Sequence, residues 1–373
     1  MGQLRLSFLM SKATSVITLP PSARKVLIAD IQLIIAAITF GVGFAGQREA
    51  TLEGMGPLTF NALRYGLSAV ILAIFMPLLN SKARQKDKDG VTIEEGNKLL
   101  VKTDDSSVNV SGNPSHSIED RIGKHLSKFD ESMKVLILGF SLALLNFSGS
   151  SFQQVGIESI SSSESAFLTG FYIVFTPVLQ SIFPALSSKH GKPKWNTWIA
   201  VATSMLGLFI ISGSSLSGIK LGHGEVLTLV SAFWWTLFII LVDIATDIVD
   251  SIDLTLVNLT VTALISLLAS LMFEYKEWSI SHIFNSWKVI LFLGVIECVG
   301  FTLGALGQTH APAHHAAIIY GSELVWATLG GYLLVNEICT YREFVGCVLM
   351  VVSTIVAKID CDIFIKECIR RKK

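Results

Sequence analysis

The chain has 373 residues, of which 51% are hydrophobic and only 16% charged, well below the roughly 25% charge of soluble domains. Lys plus Arg and Asp plus Glu both number 29, so no net charge points to a nucleic acid. Five cysteines (Cys298, Cys339, Cys347, Cys361 and Cys368) without a CxxC pair argue against a disulfide scaffold or zinc ribbon, and the composition as a whole argues against a water-soluble enzyme.

Residues 1–26 carry Arg5, Lys12, Arg24 and Lys25 and no acid. That composition is shared with organelle-targeting peptides, but a basic cytoplasmic tail that fixes orientation is the preferred reading. Leu6 stands where a myristoylation signal needs Ser or Thr. A bilayer core about 30 Å thick needs roughly 20 apolar residues of helix. Ten stretches meet this requirement: 27–47, 57–80, 134–155, 165–187, 195–213, 222–243, 253–273, 287–307, 312–335 and 341–358. Between the second and third lies a segment, 81–133, with 19 of the 58 charges and one aromatic, Phe129; it reads as a disordered cytoplasmic insert. The chain closes on a second basic tail, 359–373, in which Cys361 and Cys368 are open to acylation or idle.

With the amino terminus inside, inner segments hold 23 Lys and Arg and outer loops hold 5, namely Arg48, Lys220, Lys276, Lys288 and Arg342. Cytoplasmic loops retain basic residues, so both termini are expected in the cytoplasm. The sequon at Asn109 then stays unglycosylated. The plasma membrane and an organelle membrane are equally compatible with this count.

The third and eighth spans can be overlaid: LILGFSLALLNFSGSSFQQ matches LFLGVIECVGFTLGALGQT, placing Leu138-Gly139 over Leu293-Gly294 and Gln153 over Gln308. Each half, 27–213 and 222–358, then has five spans. An odd number of crossings inserts the second half upside down. The expected fold is therefore an all-α membrane protein of ten transmembrane helices in two inverted five-helix repeats, as in many secondary transporters.

The same residues carry a family resemblance. GQREATLEGMGPLTFNALRYGLSAVIL (46–72), SESAFLTGFYIVFTPVLQ (163–180) and HGKPKWNTWIAVATSMLGLFIISG (190–213) resemble the second, fourth and fifth helices of the EamA branch of the drug/metabolite transporter superfamily. GEVLTLVSAFWWTLFIILVD (224–243) resembles its sixth helix, and the run from Gly307 to Ala357 its final pair. The resemblance covers the spans and omits both tails and the insert. It implies ten helices in two inverted repeats that carry small metabolites. It also implies that Glu337 is the acid preceding the last helix, and that the peripheral fifth and tenth helices serve a homodimer through Ser204 and Gly207, or Gly346 and Ser353. Members commonly share a mid-span proline in helices four and nine; here Pro177 has Leu324 as its counterpart beside Glu323, which leaves the kink of the ninth helix open.

An ionisable side chain at midplane costs at least about 2.5–3.5 kcal/mol, so Arg64, Glu297 and Glu323 should face a cavity or a partner. Arg64 forms one helical stripe with Asn61 and Ser68, and can present its guanidinium to an anionic substrate group or tie the scaffold together. Glu297 shares a face with Gly304 and Gln308, and Glu323 follows Tyr320 in mid-span. Either acid can exchange a proton during transport; an ion pair with Arg64, or a protonated acid acting as glue, is the alternative. Further polar stripes run through Asn146, Ser150 and Gln153; Ser165, Thr169, Tyr172 and Thr176; Thr228, Ser231 and Trp235; and Thr255, Asn258, Thr262 and Ser266. Isolated hydroxyls often bond their own i−4 carbonyl, whereas Asn146, Gln153, Tyr172, Trp235 and Asn258 are large enough to contact a solute. With Arg64, Asn61, Glu297 and Glu323 they form the expected substrate-binding set.

Three other signals are read as structural. Gly41, Gly43 and Gly46 spell GxGxxG, but inside an apolar helix with no preceding strand they suit close helix packing. His310, His314 and His315 lack a third ligand type, so no metal is expected. Trp195, Trp198, Trp278 and Trp287 flank spans as interfacial anchors. No cofactor is expected, and an ion or solute gradient supplies the energy. The resulting expectation is a secondary transporter, in the lipid bilayer, that exports small organic metabolites by alternating access and is not an enzyme. An organic-phosphate or nucleotide-sugar antiporter is the alternative, ranked lower because such solutes need several basic residues and only Arg64 lies within a span.

Overall fold

A computed structural model describes residues 21–98, 118–187, 192–212, 222–276, 278–335 and 341–358. Among these residues the only regular structure is helical. Seven segments are long and apolar enough to cross a bilayer: Ala23–Leu52, Pro57–Leu78, Glu131–Ile157, Glu164–Ile182, His223–Ala245, Ser251–Phe273 and Trp287–Gln308. Trp195–Ile210 and Phe344–Ala357 are shorter apolar helices. The chain is thus a multi-pass membrane protein.

In chain order the helices are α1 (Pro21–Leu52), α2 (Pro57–Lys98), α3 (Ile118–Leu126), α4 (Glu131–Ile157), α5 (Ser162–Thr169), α6 (Tyr172–Ile182) and α7 (Trp195–Ser212). There follow α8 (His223–Ala245), α9 (Ser251–Phe273), α10 (Ile280–Asn285), α11 (Trp287–Gln308), α12 (Ala313–Tyr320), α13 (Glu323–Val335) and α14 (Tyr341–Lys358). Local chemistry places several of the boundaries. The Ser161 hydroxyl accepts from the Glu164 amide at the start of α5, and the Asp250 carboxylate accepts from the Ile252 and Asp253 amides at the start of α9, satisfying donors that have no partner in the first turn. Gly54, at φ 76°, turns the chain from α1 into α2: the amide of Met55 donates to Ala50 and that of Gly54 to Thr51, a geometry a side chain would strain.

Two expectations change here. First, α2 continues as a helix to Lys98 and α3 forms inside the segment expected to be disordered. Ile122 and Leu126, four residues apart, give α3 an apolar face that packs into the core, which supplies the burial its composition seemed to lack. Second, the ninth span, whose kink the missing mid-span proline left open, is interrupted. α5 and α12 are each eight residues long, and each is followed by a two-residue break, Gly170–Phe171 and Gly321–Ser322. Both glycines sit at close approaches: a β-carbon at Gly321 has no room against Ile173, and one at Gly170 would press on Leu208. Pro177 lies beyond the first break, inside α6. Registered on the breaks, Tyr172 corresponds to Glu323 and Pro177 to Thr328, not to Leu324.

The packing is regular. α11 lies on α1 and α4 on α8; α2 crosses α9; α4 also meets α9 and α2 also meets α11; α13 rests on α1 while α5 and α6 rest on α8. α7 and α14 pair with each other along one side. There the Ser204 hydroxyl donates to that of Ser353 at 2.6 Å, and Gly207 faces the Gly346 backbone and Met350. The small residues read as candidates for self-association are therefore used within the chain.

Polarity is arranged for lipid. Phe75, Phe140, Leu268, Phe292 and Val351 point outward, while Ser, Thr, Asn and Gln side chains from α2, α4, α8 and α9 are buried. Trp195, Trp198, Trp278 and Trp287 are all more than two-fifths exposed, as interfacial anchors should be. Glu337, Cys361, Cys368 and Asn109 lie outside the described residues.

The GxGxxG run is a packing device. Gly41 lies directly against the Glu323 carbonyl and the Trp326 side chain, whereas the nearest atom to a β-carbon at Gly43 would be Leu293 Cδ2 at 3.6 Å. Gly41→Ala is expected to lower stability by about 1–3 kcal/mol, because backbone must move to admit the methyl, and Gly43→Ala by much less. Thermal unfolding of the two purified variants in detergent measures the difference; equal midpoints would contradict this packing.

Candidate functional site

Where α1, α2, α4, α8, α9 and α11 converge with the two broken spans, they line a cavity. Residues of both halves of the chain line it, and among the described residues none comes from α7 or α14. Arg64, Gln153, Tyr172, Trp235, Asn258, Glu297 and Glu323, seven of the nine residues expected to bind substrate, are on its wall. Asn61 and Asn146 stand just behind it. Asn61 Oδ1 accepts from Arg64 Nε at 3.1 Å, and Asn146 Nδ2 donates to Asn258 Oδ1 at 3.4 Å.

Arg64 is 1% exposed, and each of its three guanidinium nitrogens donates a hydrogen bond. Nη1 donates to Glu297 Oε1 at 2.7 Å, Nη2 to the Tyr65 hydroxyl at 3.2 Å, and the Phe60 and Tyr65 rings lie 5.4 and 4.7 Å from its central carbon. Of the readings open for Glu297, the ion pair with Arg64 is the one observed. Its geometry also removes Arg64 as a free anion-binding group. One turn along α2, the Ser68 hydroxyl donates to the Gly294 carbonyl, fixing α2 against α11 so that the two charges meet.

Glu323 is placed differently. It opens α13, immediately past the break, where a carboxylate faces backbone N–H groups at a helix start. The Tyr172 hydroxyl, which opens α6 past the other break, donates to Glu323 Oε1 at 2.9 Å. Among the described residues no cation lies against this carboxylate. Gln153 Nε2 donates to Thr169 and Gln308 Nε2 to the Ile239 carbonyl, so these two amides brace the wall.

The sequence reading missed the aromatic wall. Phe40 stacks edge-on against Phe301 at 5.3 Å and Tyr320 at 5.9 Å. Phe301 in turn meets Tyr65 at 5.9 Å and Phe238 at 5.7 Å, and Phe238 meets Trp235 at 5.6 Å. The signal was present: Glu297, Phe301, Gly304 and Gln308 follow i, i+4, i+7, i+11 spacing on one face of α11. A Phe in a transmembrane helix is as easily read as facing lipid, and only the packing distinguishes the two.

The histidines are also accounted for. His314 Nδ1 pairs with Gln180 Oε1 at 2.9 Å, and His315 Nε2 lies 3.5 Å from Asp30 Oδ1. No cluster suited to a metal occurs among the described residues. These contacts lie at one end of the bundle, where Asp243 Oδ2 also accepts from the Ala313 amide. At the opposite end the Glu274 carboxylate accepts from the Leu58 and Thr59 amides and the Thr59 hydroxyl, capping α2, and Arg48 Nη1 donates to the Ile157 carbonyl at 2.6 Å.

Residues 222–358, which include α8 to α14, match the EamA-like transporter family. A solved crystal structure of a protein superposes with a TM-score of 0.58, covering 90% of this chain and 97% of its own, at 13% identity, a likeness of fold. No curated protein matches the chain in sequence.

Removing one partner of a buried ion pair costs about 3–5 kcal/mol, because the other charge stays behind without solvent. Arg64→Met and Glu297→Met should each destabilise the protein by that order. The double variant should cost distinctly less than the sum, and a double-mutant cycle on denaturant unfolding reads the coupling. Additive losses would mean that the two charges do not depend on each other.

Proposed function

We propose that the protein is a secondary transporter that exports small organic metabolites by alternating access. Ten spans, with both termini in the cytoplasm, would form two five-helix repeats of opposite orientation. The observation that carries this reading is the cavity at the seam, walled by residues of both halves.

The packing supports the repeat. Exchanging the first five spans for the last five turns the α11–α1 contact into α4–α8 and the α4–α9 contact into α11–α2; α2–α9 and α7–α14 map onto themselves, and α13 on α1 becomes α5 and α6 on α8. Gly139 packs on Val257 of α9 as Gly294 packs on Leu67 of α2, in keeping with the overlay of the third and eighth spans. The two interrupted spans place their breaks beside the cavity, a recurrent feature of transporter binding sites.

Alternating access requires contacts between the halves that can open at one end while the other stays shut. Candidates exist at each end: His315 with Asp30 and His314 with Gln180 at the proposed cytoplasmic side, Glu274 with Leu58 and Thr59 at the outer side. The antiporter reading for organic phosphates or nucleotide-sugars is disfavoured, since Arg64 is the only cationic side chain on the described cavity wall and Glu297 neutralises it. Self-association through α7 and α14 would have to use their outward faces, such as Leu206 and Val351, because Ser204, Gly207, Gly346 and Ser353 face each other within the chain.

The purified protein in liposomes, loaded with a metabolite mixture and given an ion or solute gradient, is expected to release particular solutes by a saturable process. Absence of flux under every imposed gradient and in both protein orientations would overturn the proposal. For topology, Asn109 should remain unglycosylated while an acceptor site introduced between α7 and α8 is modified; the reverse pattern would invert the orientation.

A further inference from the structure

We infer that the cavity selects a small organic cation, an amine or quaternary ammonium group attached to a flat apolar body; this rests on the transporter reading of the same cavity. The first reason is the charge balance of the wall. Three side chains with formal charge line it among the described residues: Arg64, Glu297 and Glu323. Arg64 and Glu297 neutralise each other at 2.7 Å, and the other two guanidinium nitrogens donate to Asn61 and Tyr65. The wall therefore offers an anion no positive charge that is not already neutralised. Glu323 is 5% exposed, and among the described residues its recorded partner is the neutral Tyr172 hydroxyl. A buried carboxylate with no countercharge is most strongly stabilised by a cation delivered with the ligand.

The second reason is the aromatic wall. Phe40, Tyr65, Trp235, Phe238, Phe301 and Tyr320 line the same space in a network of mainly edge-to-face contacts, with centroids 5.3–6.3 Å apart. Ring faces are negative, attract ammonium groups and repel anions. Tyr320 sits three residues before Glu323, at the end of α12, so the carboxylate and the rings address one ligand together. Selection at this wall rests on charge and on ring faces.

The test uses the full-length protein in detergent, with benzyltrimethylammonium as a permanent cation, benzyl alcohol as an uncharged aryl probe and 3-phenylpropionate as an anion. Intrinsic Trp fluorescence, to which Trp235 contributes, reads binding. The cation is expected to bind at least tenfold tighter than either other probe. Glu323→Gln, which keeps an acceptor for Tyr172, should weaken the cation at least tenfold and leave benzyl alcohol within twofold; Glu323→Asp should retain most of the cation affinity. If Glu323→Gln loses thermal stability, Glu323→Asp and the order of the three probes on the unaltered protein still decide. A cation no tighter than benzyl alcohol, or undiminished by Glu323→Gln in a folded protein, overturns the inference. Liposome flux separates the two claims. Cation binding without flux of any solute removes the transporter reading and leaves the site; saturable flux of anions indifferent to Glu323→Gln removes the cation and leaves the transporter.

Discussion

One guanidinium faces two carboxylates across a cavity in the lipid-embedded part of this protein, and it satisfies only one of them. Arg64 and Glu297 hold each other at 2.7 Å, with Asn61, Tyr65 and Phe60 completing the surroundings of the cation. In a medium where a lone charge is costly, this pair can exist only if α2 and α11 are pressed together at that depth, and the hydrogen bond from Ser68 to the Gly294 carbonyl shows that they are. The pair also decides the electrostatic character of the cavity, because what it leaves over is a single acid, Glu323.

Glu323 owes its position to a break in the backbone. An uninterrupted ninth span would give its residues i−4 partners throughout; the interruption at Gly321–Ser322 starts a new helix with Glu323 in its first turn. Tyr172 is positioned in the same way by the break at Gly170–Phe171, and the two side chains meet. The same glycines that admit close packing thus create the two helix starts beside the cavity. Outside this centre the chemistry is simpler: carboxylates at helix starts and ends, such as Glu274 on α2 and Asp243 on α12, secure the ends of the bundle.

Much of this was legible in the sequence. Apolar length located the helices, the placement of glycines pointed to close packing, and the cost of charge in lipid singled out Arg64, Glu297 and Glu323. Seven of nine residues expected at the site line the cavity. The segment around Ile122 and Leu126 was misread because composition averages over a window, whereas a nine-residue helix needs only two or three apolar side chains on one face to be held. The kink of the ninth span stayed open in the sequence because its break falls at Gly321–Ser322, where the close neighbour, Ile173, lies far away in the chain.

What the sequence determined by itself was the solvent of each segment, since a run of apolar residues in helical register has no stable alternative to lipid or a buried core, and with it the short inventory of charges that must find a purpose there. Only the tertiary structure decided how those charges are divided. Arg64 could have met either acid; the crossing of α2 with α11 gave it Glu297, and the breaks in the fourth and ninth spans gave Glu323 to Tyr172 and the cavity. The aromatic wall was hidden for the same reason. Phe40, Phe238 and Phe301 are indistinguishable along the chain from phenylalanines that face acyl chains, and their role exists only where helices distant in sequence bring the rings together.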